Sequence, residues 1–304
     1  MSLIELTYKA KETEEWLDIK FYRPFGYLIA RICKVLRITP NAVSLIGMFI
    51  GILAGHLFYY SDIKVTIAGI ILLIISEAMD SADGQLARMT NKKSRLGRIL
   101  DGFVTNLIFL SIYIHLSLRM ASEGSQIVWV IALLAAVSHS LQSAVADHYR
   151  NGYLNFVVSP EKSELDSSAK LSEQFNKLSW SKEPFEKFWN LLYLNYTREQ
   201  EMLSPKFFML KQKTDSIFNG ILPENLRELY KANSRELVKF YNILTTNTRM
   251  IFLFFALLIN IPWLYLAFEL TILNALLLHV VTCQELTCNM IIEKITMTEK
   301  EVEC

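Results

Sequence analysis

Asp80, Asp83 and Asp101 are the residues of this chain whose type and spacing promise chemistry. Asp80 and Asp83 are three residues apart, so one helix presents both carboxylates on one face. Asp101 follows Gly97 by four residues at the start of a second apolar run. The MTNKKSRL turn between the two runs would bring the three acids to one membrane depth. Carboxylates held that close repel each other unless a cation sits among them. Hard oxygen donors of this kind suit Mg²⁺ (or Mn²⁺), which takes a few carboxylates and leaves positions for substrate oxygens. Gly84 and Ala87 remove bulk beside the acids and allow close approach by a helix or a flat nucleotide. Arg88 follows directly, with a planar fork suited to phosphate. A charge near the bilayer centre costs about 2.5–3.5 kcal/mol on insertion scales. The bland alternative is an interfacial rim of snorkelling, mutually paired charges. Such a rim would not need the glycines and alanine at these places.

The elements that must position these residues are membrane helices. The chain has 304 residues, 52% of them apolar, bunched into long runs around a polar interval of roughly 150–245. About 20 apolar residues cross a bilayer as a helix, and in lipid only helices or closed barrels satisfy the backbone. The runs predict spans at 42–60, opened by Thr39-Pro40-Asn41, and at 65–89, about 95–118 and about 127–146. The apolar stretch 249–291 is too long for one span, and Asn260-Ile261-Pro262 breaks it into helices of about 243–260 and 262–291. The fold expected is an all-α integral membrane protein with six transmembrane helices. Lys and Arg crowd the segment before the first span and the turn between the second and third. That bias puts both termini, the acidic cluster and the polar interval on the cytoplasmic side.

Residues 22–38, YRPFGYLIARICKVLRI, alternate basic and apolar positions at helical spacing, as an amphipathic helix lying in the membrane surface does. The FEKFWNLLY stretch makes the polar interval a small helical insertion and not a floppy linker. The resulting organisation is 1–41, the N-terminal segment; 42–148, spans one to four; 149–242, the cytoplasmic insertion; and 243–304, spans five and six with the tail. The N-terminus is too acidic and interrupted for a secretory signal. A net charge of +1 without a basic stripe gives no support for nucleic-acid binding. The four cysteines show no metal spacing. His139, His148, Asp147, Arg150, Arg249 and Glu269 are weaker candidates, the last two because ions inside apolar runs are functional suspects by default.

Asp80, Asp83, Gly84, Ala87, Arg88, Gly97 and Asp101 resemble the CDP-alcohol phosphotransferase signature D-x2-D-G-x2-A-R-x8-G-x3-D-x3-D, with every spacer kept. The resemblance covers roughly 20–150 and 243–291 and sits on the second and third of the expected spans. It implies transfer of a substituted phosphate from a CDP-alcohol, such as CDP-diacylglycerol, to a polar alcohol acceptor with release of CMP. By position it implies that Asp80, Asp83 and Asp101 hold the metal. Asp83, Gly84, Ala87, Arg88 and Gly97 would then shape the CDP pocket. Members of that family commonly pair as homodimers. The last signature aspartate is Thr105 here, and a threonine hydroxyl cannot serve as a general base near neutral pH. Three readings follow: the acceptor brings its own base, another carboxylate such as Glu77 or Asp147 substitutes, or the protein binds its CDP-lipid without turning it over.

Overall fold

The computed structural model describes residues 11–92 and 95–303; Lys9, Lys93 and Cys304, which entered the charge and cysteine readings, lie outside them. No strand occurs among the described residues, and the protein is an all-α integral membrane protein. The helices are α1 (Arg23–Val35), α2 (Pro40–Leu57), α3 (Ile63–Met89), α4 (Arg95–Ser122) and α5 (Val128–Tyr153). There follow α6 (Ser168–Lys177), α7 (Pro184–Leu203), α8 (Pro205–Phe218), α9 (Glu224–Ser234) and α10 (Leu237–Ile243). The last three are α11 (Thr246–Leu258), α12 (Trp263–Phe268) and α13 (Asn274–Glu303).

Among the described residues, five stretches are long and apolar enough to cross a membrane: α2, α3, α4 from Ile99, Val128–Val158, and Trp263–Met297. The expected count was six. The remaining candidate, α11, is an apolar helix of only 13 residues, about 20 Å long against a hydrocarbon core of about 30 Å. It stops where the sequence placed the break, because Asn260 takes a left-handed φ of 61° and Pro262 follows. The chain divides into two compact units, one holding Glu14–Ser140 and Asn247–Ile272, the other Leu141–Thr246 and the C-terminal helix from Leu273.

In the first unit the helix starts are set by local chemistry. Thr39 Oγ1 accepts from the Ala42 N–H at 3.3 Å with Pro40 in the first turn, and Asp62 accepts from Lys64 and Val65 at 2.8 and 3.2 Å. α2 then turns a stripe of glycines toward its neighbours. A Cβ on Gly51 would lie 2.7 Å from Ile108 and from Ser76 Oγ, and one on Gly55 would lie 2.6 Å from Ser111 Oγ. That closeness lets Ser76 donate to Gly47 O at 2.8 Å and Ser111 to Ile52 O at 3.0 Å, polar contacts that lipid cannot compete for.

Arg119, near the C-terminal end of α4, is buried. Its guanidinium donates to Phe58 O at 3.3 Å, Tyr60 O at 3.4 Å and the Asn260 side chain, so it closes the C-terminus of α2 and holds the break after α11. Arg119→Ala leaves those acceptors without a donor. A loss of about 1.5–3 kcal/mol is expected, read as an earlier thermal transition in detergent.

The second unit is held by side chains of α13. Glu285 accepts from the Lys206 and Phe207 N–H groups at 2.6 and 3.1 Å and so caps α8, while Tyr149 OH reaches the same carboxylate at 3.2 Å. Gln284 accepts from Tyr241 OH at 2.7 Å and donates to Tyr230 OH at 2.9 Å. Asp147 accepts from Asn151, Tyr196 and Gln200 side chains at 2.9, 3.4 and 3.3 Å and binds α7 to α5.

Candidate active site

The acids come from two facing helices of the first unit. Asp80 and Asp83 lie one turn apart on α3, and Asp101 stands near the start of α4. One carboxylate oxygen from each lies within 4.8 Å of the other two, with Asp83 buried, Asp80 partly buried and Asp101 exposed. An enclosed-to-open gradient of this kind fits a divalent ion that must also meet a substrate. Three anionic oxygens at that spacing match the hard donor set of Mg²⁺ or Mn²⁺, and the exposed side leaves room for phosphate oxygens.

Ser44 of α2 was not foreseen as a site residue. Its hydroxyl meets Asp83 Oδ2 and also Pro40 O, the latter at 3.2 Å. This fixes the inner carboxylate from a third helix, leaving Asp101 as the open edge. Only its place one turn after the Thr39-Pro40-Asn41 start hinted at it, since a serine in an apolar helix normally bonds its own backbone.

The surface helix α1 docks beside the same turns of α3. A Cβ on Gly26 would lie 2.8 Å from Ser81 Oγ and 3.0 Å from the Ala82 nitrogen, so only glycine permits this approach between Asp80 and Asp83. Gln85 Nε2 donates to Arg23 O at 3.0 Å, and Ala30, Cys33, Val43, Ala82 and Leu86 form the apolar core of the contact. The other side of α1 leaves Phe25, Leu28, Ile32 and Val35 exposed at helical spacing, an apolar face like the one its amphipathic pattern predicts.

Gly84 and Ala87 lie on α3 among partly buried positions, and the nearest atom that a Cβ on Gly84 would meet is Arg88 Nη1 at 3.4 Å. The Gly84 surface is therefore covered only by a flexible arginine of its own helix. Arg88 acts electrostatically on Asp83. Gly97 is partly buried in the first turn of α4. Thr105 follows Asp101 by one helical turn, and its hydroxyl donates to Asp101 O at 3.2 Å. Glu77 lies within electrostatic reach of Asp101, and also of Asp18 and Glu15, which accept hydrogen bonds from Asn247 at 2.9 and 2.8 Å.

The weaker candidates resolve differently. His139 meets Tyr113 OH at 3.2 Å and packs on Phe109. Arg249 meets no open site: its guanidinium and the Glu269 carboxylate are fully buried and 2.5 Å apart. Burial and this ion pair leave Arg249 no reach to a substrate phosphate or to the membrane surface. Asp147 and Arg150 form an ion pair of 3.7 Å in the second unit.

A carboxylate triad stands on two adjacent membrane helices, flanked by a glycine, an alanine and an arginine, and its oxygens are a donor set that suits a divalent ion. Residues 37–155 match the family model for CDP-alcohol phosphatidyltransferases, and the chain carries a domain of that family there. The archaetidylinositol phosphate synthase of Pyrococcus horikoshii is 33% identical over 115 residues, 38% of this chain and 57% of that protein. An uncharacterized protein of Aquifex aeolicus is 30% identical over 101 residues, 33% of this chain and 50% of that protein. The chain thus spans about half the length of the curated relatives it matches.

Proposed function

We propose that this protein transfers a substituted phosphate group from a CDP-linked lipid, such as CDP-diacylglycerol, to the hydroxyl of a polar alcohol, releasing CMP. The observation that carries the reading is the meeting of Asp80, Asp83 and Asp101 within the family-matched segment. The relative named archaetidylinositol phosphate synthase supports a polyol-type acceptor.

Asp80, Asp83 and Asp101 would hold Mg²⁺ or Mn²⁺, which when bound offsets charge on the phosphate oxygens and on the leaving CMP. Asp83 is kept in place for this by Ser44. The Gly84–Ala87 surface takes the flat nucleotide, Arg88 forks onto a phosphate, and Gly97 keeps the α4 side of the pocket open. The acceptor oxygen bonds to phosphorus as the phosphorus–oxygen bond to CMP breaks, and the hydroxyl proton leaves with the acceptor's own base or with Glu77. Thr105 contributes positioning alone, because its hydroxyl is committed to the Asp101 carbonyl. The site faces the cytoplasm, on the side with more Lys and Arg in its short loops. A second copy of the chain is a natural membrane partner.

The test is CMP release by purified protein with Mg²⁺ and CDP-diacylglycerol across a panel of polyol and amino-alcohol acceptors. Acceptor-dependent CMP supports the reading, and full suppression by EDTA with recovery on added Mg²⁺ is the expected metal dependence. Thr105 favours a second reading, a CDP-lipid-binding protein or partner subunit without turnover. The two separate on Thr105→Asp. A base worth about 10²–10⁴-fold should raise an existing rate by at least about tenfold in the enzyme. Tight CDP binding, no CMP from the native protein, and turnover appearing only in the variant would establish the second reading.

A further inference from the structure

The ends of α2 and α4 that lie away from the acidic motif bring two histidines together. His56 follows Ser44 by twelve residues on α2, and His115 follows Asp101 by fourteen on α4. At 1.5 Å per residue they stand about 18 and 21 Å further along their helices. His56 Nδ1 and His115 Nε2 are 3.1 Å apart, with ring centroids at 4.9 Å and ring planes at 82°. The backbone builds this spacing in. A Cβ on Gly55 would lie 2.6 Å from Ser111 Oγ, so only a glycine lets α2 come this close to α4, and Ser111 donates to Ile52 O at 3.0 Å. One turn beyond Ser111, His115 Nδ1 lies 2.8 Å from the Ser111 carbonyl oxygen. A carbonyl only accepts, so Nδ1 carries the proton and Nε2 turns a lone pair toward His56.

Two features distinguish this pair from a packing contact. His56 is exposed and His115 half-buried on two apolar helices, where an ionisable side chain is a functional candidate and an apolar pair would pack without polar atoms. The geometry is also that of two ligands of one ion. Zn–N bonds of about 2.05 Å meeting at about 100° put their nitrogens about 3.1 Å apart, the separation found here. The centroids are closer than two rings joined head-on through that contact would be, so the rings meet at an angle. A ligating histidine ordinarily donates its other ring N–H to a carboxylate or a backbone carbonyl, which is what Ser111 offers His115. Mg²⁺ prefers oxygen donors, whereas imidazole suits Zn²⁺, Cu²⁺ and Ni²⁺. Water would complete the coordination from the exposed side of His56. A plain N–H···N bond between the rings gives the same contact without an ion, and metal titration separates the two.

We infer that His56 and His115 form a binding site for a divalent transition ion such as Zn²⁺, bridging α2 and α4 apart from the acidic motif. The ion ties together the two helices that carry Ser44 and Asp101. The inference stands independently of the transferase reading. The test is calorimetric titration of Zn²⁺ into the full chain, free of any histidine tag, in nanodiscs with excess Mg²⁺ to fill the carboxylate site. One ion per chain with a dissociation constant of about 10 μM is expected. Affinity should fall at least about tenfold in His56→Gln and in His115→Gln. It should persist in Asp80→Asn and in Cys283→Ser, which removes the thiol 3.8 Å from His279 on α13. Cu²⁺ at the site should show spin coupling to two imidazole nitrogens, lost in His56→Gln. Absence of Zn²⁺ uptake under excess Mg²⁺, native affinity in His56→Gln, or loss of binding in Asp80→Asn or Cys283→Ser would each overturn the assignment. His56→Gln keeps the test decisive if His115→Gln does not fold, because His56 is exposed.

Discussion

Asp80→Asn should reduce CMP release by at least about 10³-fold while leaving the protein folded. The carboxylate lies between its partners on α3 and α4, with oxygens of all three within 4.8 Å. Replacing one anionic donor by an amide removes a charge and weakens hold on a divalent ion that prefers carboxylate oxygen. Lewis-acid stabilisation of a transferring phosphoryl group is worth several kcal/mol, and about 4 kcal/mol corresponds to about 10³ in rate. The same substitution has an opposite effect on stability without metal. Three like charges at this spacing repel, so removing one should raise the thermal transition of the metal-free protein. Mg²⁺ should therefore stabilise the native chain more than Asp80→Asn. A structural rim of paired charges makes the reverse prediction, since loss of one member would leave its partner exposed to lipid. Kinetics and melting with and without Mg²⁺ decide between them. Unchanged CMP release in Asp80→Asn would remove the acidic motif from the mechanism altogether.

The meeting of Asp80, Asp83 and Asp101 was legible because its determinants are local. Three- and four-residue spacings fix which residues share a helix face, and the short turn after Met89 leaves the facing helices little freedom. The break at Asn260 and Pro262 was legible for the same reason, as were the start at Thr39 and the apolar face of α1. What escaped the sequence depends on pairing between distant segments. Ser44 reaches Asp83 across 39 residues, and nothing in an apolar helix marks which of its serines faces a neighbouring acid. Arg119 caps α2 and bonds to Asn260, 141 residues away, a pairing that no local spacing marks. The sixth span is not confirmed because hydropathy does not register where a helix begins: the expected helix of about 243–260 is divided after Ile243, which leaves α11 only 13 residues, Thr246–Leu258. Arg249 and Glu269, read separately as intramembrane suspects, are each other's partners.

That pair carries the second large effect. Arg249→Met should destabilise the protein by about 3–5 kcal/mol, enough to abolish recovery of folded material in detergent. Both side chains are fully buried, and Arg249 Nη1 donates to Glu269 Oε2 at 2.5 Å. Glu269 also accepts from Tyr113 and Tyr265, whose hydroxyls are 3.3 Å apart, and Tyr113 continues to His139 at 3.2 Å. Removing the guanidinium strands a carboxylate among three rings in an apolar bundle. Glu269→Gln should cost less, because the amide can keep the tyrosine hydrogen bonds while losing the charge. Arg249→Met with Glu269→Met should recover most of the stability lost by Arg249→Met, since no isolated charge is then buried. Chemical denaturation of the four proteins in one detergent measures the coupling. Recovery in the double variant without loss of CMP release would make the pair architectural. Recovery of fold with loss of CMP release would mean that the network from His139 to Arg249 shapes the acceptor side of the site, a role its burial alone does not disclose.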